Sequence, residues 1–508
     1  MSKSLPVRPS LEQLKKQAKE LVKSHKSGTA EGLRRIRENH PDLTGASEPQ
    51  IRNAKLSLSD AQLVIAREYG FASWPKLKDH IRTVLLETSD PLELLKQAFH
   101  EDDPVLVRKL LERMPQVRAK INEPVAAFDS PAITHVRSRE MLDVLLDAGA
   151  DINAKSRWWA GGFGLLHQAE PELAAYAIQR GASVDIHAAA RLGMLERVRE
   201  LVAGDPALVH ARGGDGQTPL HFASSVEIAE SLLAHGADID AKDVDHESTP
   251  VQWMVRERQQ VAAFLVKRGC KTDLLLAAAL GDEDLVRRHL ERDPDSIRLR
   301  VSHEYFPMIN PKSGGTICQW TLGWFVSAHD VAKQFGHERV RALLVERSPD
   351  DLKLAVAAWQ SDEPAVAKLL AQKPQLVSSL SPADRRLLAH AARNNDLAAL
   401  RTMLKAGWSL DVTSQHGATA VHWAAFHGNI EMICEILRYK PALERKDPEF
   451  QSTPLGWAIH GSEHGWHCDD GDYVATVEAL LEAGAKIPHG SKNGTEEVKE
   501  LITRRLSK

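Results

Sequence analysis

Thr218-Pro-Leu-His-Phe-Ala, followed shortly by Leu232-Leu-Ala-His-Gly-Ala-Asp-Ile-Asp, decides how the rest of the chain is read. Thr and Pro set the first turn of a short helix, because Pro at the first helical position lacks only an N–H that would be unpaired anyway. Small Ala residues let two helices pack closely. Gly236 supplies the left-handed residue that ends the second helix. Asp238 and Asp240 then favour a turn into the next unit. The opening returns as Thr249-Pro-Val-Gln-Trp, Ala420-Val-His-Trp-Ala-Ala and Thr453-Pro-Leu-Gly-Trp-Ala. The closing returns as Leu145-Leu-Asp-Ala-Gly-Ala-Asp-Ile-Asn, Met403-Leu-Lys-Ala-Gly-Trp-Ser-Leu and Leu480-Leu-Glu-Ala-Gly-Ala.

Opening, closing and a period of about 33 residues together resemble the ankyrin repeat. The resemblance covers most of residues 90–487. It implies an all-α solenoid of helix-turn-helix repeats joined by β-turn or hairpin fingers. Some units are short between the motif His and the closing Gly: His135 to Gly149, His167 to Gly181 and His221 to Gly236. Their helix pairs are expected to be clipped at the connecting turn. Other units, beginning at Asp185, Leu274 and Leu352, have no finger and start directly in helix.

Four segments follow. Residues 1–88 form a small helical module, with the stripe Leu11, Leu14, Ala18, Leu21 and Val22 as one apolar helix face. It looks like a module that precedes such arrays in bacterial proteins, which implies a bacterial origin. Residues 89–350 form a first array with a long hairpin insertion at about 296–326, where Gly314-Gly315 marks a bend. Residues 351–490 form a second array with an inter-helix insertion at about 461–470. Residues 491–508 suit a capping helix, with Val498, Leu501, Ile502 and Leu506 covering the last apolar face.

Composition narrows the function. The 508 residues carry 65 Lys+Arg and 69 Asp+Glu, a net charge of −4, where a nucleic-acid binder shows a basic excess. Lys15, Lys16, Lys19, Lys23 and Lys26 make the first helix basic, and a solvated face is the simpler account. No apolar run approaches the ~20 residues of a membrane span. The Met1 segment has no apolar core of a secretory signal. Cys270, Cys318, Cys434 and Cys468 are scattered, as expected for free thiols in a reducing cytoplasm.

Phosphate loops, H-E-x-x-H and G-x-S-x-G are absent. The histidine excess is partly structural. His135, His167, His187, His221 and His422 occupy the motif place, where the ring ties neighbouring repeats together, and His337 sits at a repeat turn. Glu463, His464, His467, Cys468, Asp469, Asp470 and Asp472 crowd one loop. They have metal-binding side-chain types, but the spacing fits no known site, so neither metal nor cofactor is assigned.

The aromatic residues carry the binding expectation: Trp158, Trp159 and Phe163 in one finger, Tyr305, Phe306, Trp320 and Trp324 in the long insertion, Trp423, Phe450, Trp457 and Trp466 in the last repeats. Trp and Tyr anchor partners at interfaces. The favoured function is a non-enzymatic scaffold that binds a protein or peptide through its concave face and fingers. The alternative is a small-molecule binder or enzyme, with a carbohydrate-like ligand in an aromatic pocket. Its acid–base candidates are Glu304, Glu463, His464, Asp469 and Asp472.

Overall fold

The computed structural model describes residues 3–6, 9–488 and 493–506. Its regular structure is helical, and the only strands among the described residues are Pro124–Ala126 and Ser130–Pro131, an antiparallel ribbon. The chain forms two compact units, Met1–Gln217 and Thr218–Lys508. The division expected at 350/351 lies inside the second unit. There Arg298, from before that point, holds Asp351 at 2.9 Å and Asp384 at 3.4 Å beyond it.

The first unit opens with helices Leu11–Ser27, Ala30–Asn39, Glu48–Asn53, Leu58–Glu68 and Trp74–Thr88. Leu11, Leu14, Ala18 and Leu21 are buried in one core with Leu33, Ile36, Val64 and Ile65. Glu68 locks the module by accepting from Arg35 at 2.6 Å and Lys3 at 2.8 Å. Lys16, Lys19, Lys23 and Lys26 face solvent.

The short repeats lose their residues just before the connecting turn. Their second helices are complete (Arg139–Asp147, Pro171–Gln179 and Val226–Ala234). The first helix is what shrinks, to single turns at Ala132–His135, Leu165–His167 and Pro219–Phe222. The turn that remains of the first helix is wholly buried in the third case (Pro219, Leu220, His221 and Phe222), and the second helix keeps an amphipathic face with Ile228, Ala229 and Leu232 buried.

The motif histidines explain how units stay in register. His221 Nδ1 accepts from Thr218 N at 3.1 Å, and its Nε2 donates to Ser248 O at 3.1 Å in the next repeat. His422 does the same with Thr419 and with Arg445 O. At repeat turns, His337 and His427 donate back to Ala279 O and Arg393 O. The bonds from His337 and His427 satisfy last-turn carbonyls that have no intrahelical partner, and those from His221 and His422 satisfy finger carbonyls.

The insertion is not an extended hairpin. Only one bridge, Arg300 to Ser327, closes its base. Inside are turns and a one-turn helix, Cys318–Thr321. Gly314-Gly315 does not reverse two strands. Gly314 N donates to Asp245 O at 3.1 Å, and Gly315 O is held 2.7 Å from His246 Nδ1, so the segment binds an earlier finger instead. In the last repeat the extra residues divide. The helix Pro454–His464 gains a turn, and residues 465–472 wrap Tyr473, whose hydroxyl donates to Phe426 O at 2.8 Å. The helix Glu496–Leu506 packs on Tyr473–Glu482, with Val498, Leu501 and Ile502 buried and Leu506 exposed.

Candidate functional site

In the second unit, three tryptophans share one register, one place after the motif histidine. Each indole N–H donates to the residue that starts its finger: Trp253 to Asp243 at 2.8 Å, Trp423 to Ser414 at 2.8 Å, Trp457 to Asp447 at 2.9 Å. This bond fixes the ring against the finger and leaves its faces for other contacts. Asp447 is fully buried and also accepts from Phe450 N at 2.5 Å and Ser452 N at 3.0 Å. Burial works against its charge, but these three donors outweigh it and hold the carboxyl below its usual range.

The last two repeats bring Trp423, Phe426, Phe450, Trp457 and Trp466 around a cavity of about 630 Å³. Trp423 and Trp457 are its buried walls, 5.1 Å apart and nearly perpendicular. Trp466 and Phe450 stand at its edge with 58% and 57% of their surface exposed. Trp466 stacks on Trp423 with ring centres 5.7 Å apart and planes at 27°. Gly456, where the motif histidine would stand, lines the same space, and a Cβ there would meet Ser452 Oγ at 2.2 Å. His416 and His460 add imidazoles to the wall.

Arg393 lies behind the tryptophans. Its guanidinium carbon is 4.9 Å from the Trp324 ring centre, 5.6 Å from Trp423 and 5.1 Å from Trp466. Burial lowers it to about 10, so it remains a cation at neutral pH. One charge serving three rings is a cation–π anchor that orders Trp466 over the cavity edge.

Of the expected binding residues, Trp423, Phe450, Trp457 and Trp466 are brought together. Trp324 joins them only through Arg393 and is itself buried. Tyr305 meets Phe306 edge-on, and burial, with a bond to the half-buried Asp273, raises the phenol well above its ordinary value. Trp320 is exposed and lies edge-on to His246, 5.1 Å between ring centres. Trp158 and Phe163 belong to the first unit, where both pack on Phe128 and Trp159 meets Trp158.

The acid–base candidates do not converge. Glu304 binds Arg386, Glu463 accepts from Gly494 N, and Asp472 caps the helix that begins at Tyr473. His464 contacts only His460 among rings, and Asp469 is exposed. None of the five lines the cavity. Sequence reasoning missed Phe426, Arg393 and His416. His416 was accessible from register. It holds the same left-handed tip position as Asp215, φ 59° against 53°, in Gln-His-Gly against Gly-Asp-Gly.

A family model described as ankyrin repeats (3 copies) matches residues 186–275, 352–451 and 388–490. These segments are ankyrin repeats. With the helix pairs described above, they make the fold an all-α ankyrin solenoid. Two of the three relatives that follow carry the repeat in their names. Ankyrin repeat domain-containing protein SAT10 of Stachybotrys chartarum is 23% identical over 70% of this chain and 19% of its own length. Serine/threonine-protein kinase VIK of Arabidopsis thaliana is 41% identical over 14% of this chain and 16% of its own. Ankyrin repeat and SAM domain-containing protein 6 of Rattus norvegicus is 27% identical over 26% and 15%. The chain thus spans less than a fifth of the length of each of these relatives. They come from a fungus, a plant and a rat, and give the bacterial origin no support. No described helix is long and apolar enough to cross a membrane.

Proposed function

We propose that the chain is a binding scaffold whose ankyrin array captures a protein or peptide segment through the fingers and first helices of its last two repeats. The supporting observation is the aromatic cavity: two buried indoles as walls and two exposed rings, Phe450 and Trp466, at its edge. Exposed aromatics beside a well-packed recess are where binding energy concentrates at interfaces. The unpaired cysteines fit a reducing compartment. Cys270 and Cys318 are buried, and burial pushes both thiols up to about 12.

The test is selection of peptides from a random display library on the full chain. Selected peptides should lose roughly 30-fold in affinity or more with Phe450→Ala combined with Trp466→Ala, as for two hot-spot residues. The thermal midpoint should stay within a few degrees of the parent. Peptides that bind the double variant equally well would place recognition elsewhere. The cavity volume also lies within the range of small-molecule sites, about 300–1,000 Å³. A thermal-shift panel of neutral sugars tests that second reading, and a saturable shift lost in Trp457→Ala would favour it.

A further inference from the structure

We infer that the cavity selects an aromatic side chain bearing a hydrogen-bond donor, a tryptophan or tyrosine of the bound segment. This rests on the peptide-binding reading and adds the chemistry of the guest.

Among the described residues the lining is largely aromatic and includes no Lys, Arg, Asp or Glu. A cationic guest is disfavoured by what stands behind the walls. Trp423 and Trp466 already share the Arg393 guanidinium, at 5.6 and 5.1 Å, so a second cation would meet rings polarised away from it and a like charge nearby. An aromatic guest has no such penalty, and edge-to-face packing against perpendicular indoles is its preferred geometry. Trp423, Phe426 and Trp457 already meet one another in that way, 5.1 to 6.0 Å apart.

His416 supplies the polar preference. Its Nδ1 lies 2.7 Å from Glu449 Oε2. A carboxylate only accepts, so the neutral ring carries its proton on Nδ1. Nε2 is then a lone pair with no hydrogen bond among the described residues. The ring lines the cavity, 5.2 Å from Phe450 and 6.0 Å from Trp423. An indole N–H or a phenol O–H can use that acceptor, while a phenyl ring leaves it unpaired. His416 also holds a positive φ of 59°, where Asn, Asp and His are all found more often than other non-Gly residues. Turn formation alone does not call for an imidazole there. Gly456 completes the arrangement, since the Ser452 hydroxyl occupies the place a Cβ would take there.

The experiment titrates the full chain with N-acetyl-tryptophanamide, N-acetyl-tyrosinamide, N-acetyl-phenylalaninamide and the 1-methyl derivative of the first, followed by ligand-observed NMR. Tetramethylammonium serves as the cationic probe. The two donor rings should bind about three- to tenfold tighter than the two rings without a donor, the usual worth of one hydrogen bond. His416→Gly keeps the left-handed backbone at no steric cost and removes the acceptor. It should bring the two donor rings down to the affinity of the two rings without a donor. Glu449→Gln frees the imidazole tautomer and should blunt the preference without unfolding the finger. Equal affinity for all four rings overturns the inference and leaves the peptide-binding reading standing. Tighter binding of tetramethylammonium also overturns it. If no aromatic probe binds and display peptides also ignore Phe450 and Trp466, both readings fall.

Discussion

Asp447→Ala should be among the most damaging single changes in the second unit. The carboxylate is fully buried and takes three donors, from Phe450 N, Ser452 N and Trp457 Nε1. Hydrogen bonds to a charged acceptor contribute about 1.5–3 kcal/mol each, and a buried donor left unpaired costs about 1–3 kcal/mol. The indole N–H is buried and has no other acceptor, so it bears its full penalty. The two backbone N–H groups sit in a finger that water can reach once it loosens, so they recover part of theirs. The expected loss is about 3–5 kcal/mol. The same molecule supplies the control. Ser414 stands in the matching place and holds Trp423 with a hydroxyl. Asp447→Ser should therefore keep the indole bond, lose the two backbone bonds, and cost about 1–2 kcal/mol. Urea unfolding followed by far-UV circular dichroism measures both, with amide exchange at Phe450 and Ser452 as the local readout. An alanine variant within 1 kcal/mol of the parent, or a serine variant as damaged as the alanine one, would refute the reasoning.

Other outcomes follow from the same structure. Burial pushes His422 and His427 down to about 4, so the unfolded chain binds more protons between about pH 6.5 and 4. Stability is therefore full above about pH 6.5 and falls as pH drops to 4, by at most ~1.4 kcal/mol per pH unit for each ring, which a pH series of urea midpoints would show. Arg300→Ala removes the nearer cation of the buried Asp384, held at 2.9 Å, leaves it Arg298 at 3.4 Å, and should cost about 2–3 kcal/mol in the same assay, less than for a fully stranded charge. With a thiol reagent at pH 8, Cys434 and Cys468 should react promptly and Cys270 and Cys318 only after denaturation.

The repeats were legible because their signals are local and periodic. Thr218-Pro, His221 and Gly236 each perform within one unit the task their type predicts, and the next unit repeats it. The insertion misled because Gly-Gly marks a turn without saying what the turn serves. Here it brings backbone to Asp245 and His246 rather than reversing a strand. The short His-to-Gly spacing pointed to the connecting turn, but length alone does not tell that the first helix is the one that gives up its last residues. Four cavity aromatics could be named in advance, but not the assembly. Arg393 joins Trp324, Trp423 and Trp466 from three separate segments, and no spacing in the chain encodes that meeting. The scattered acid–base candidates fail for the converse reason: proximity in the chain placed Glu463, Asp469 and Asp472 in one loop, while local hydrogen bonding gave Glu463 and Asp472 other partners.

The stacking of Trp466 on Trp423, 5.7 Å apart at 27°, has an optical consequence. Two indoles that close and that nearly parallel couple their electronic transitions and give a split signal in ultraviolet circular dichroism. Trp466 is exposed at the cavity edge, whereas Trp423 is pinned by Ser414. Any occupant that tilts the outer ring changes the splitting, so the protein reports on its own cavity without an added dye.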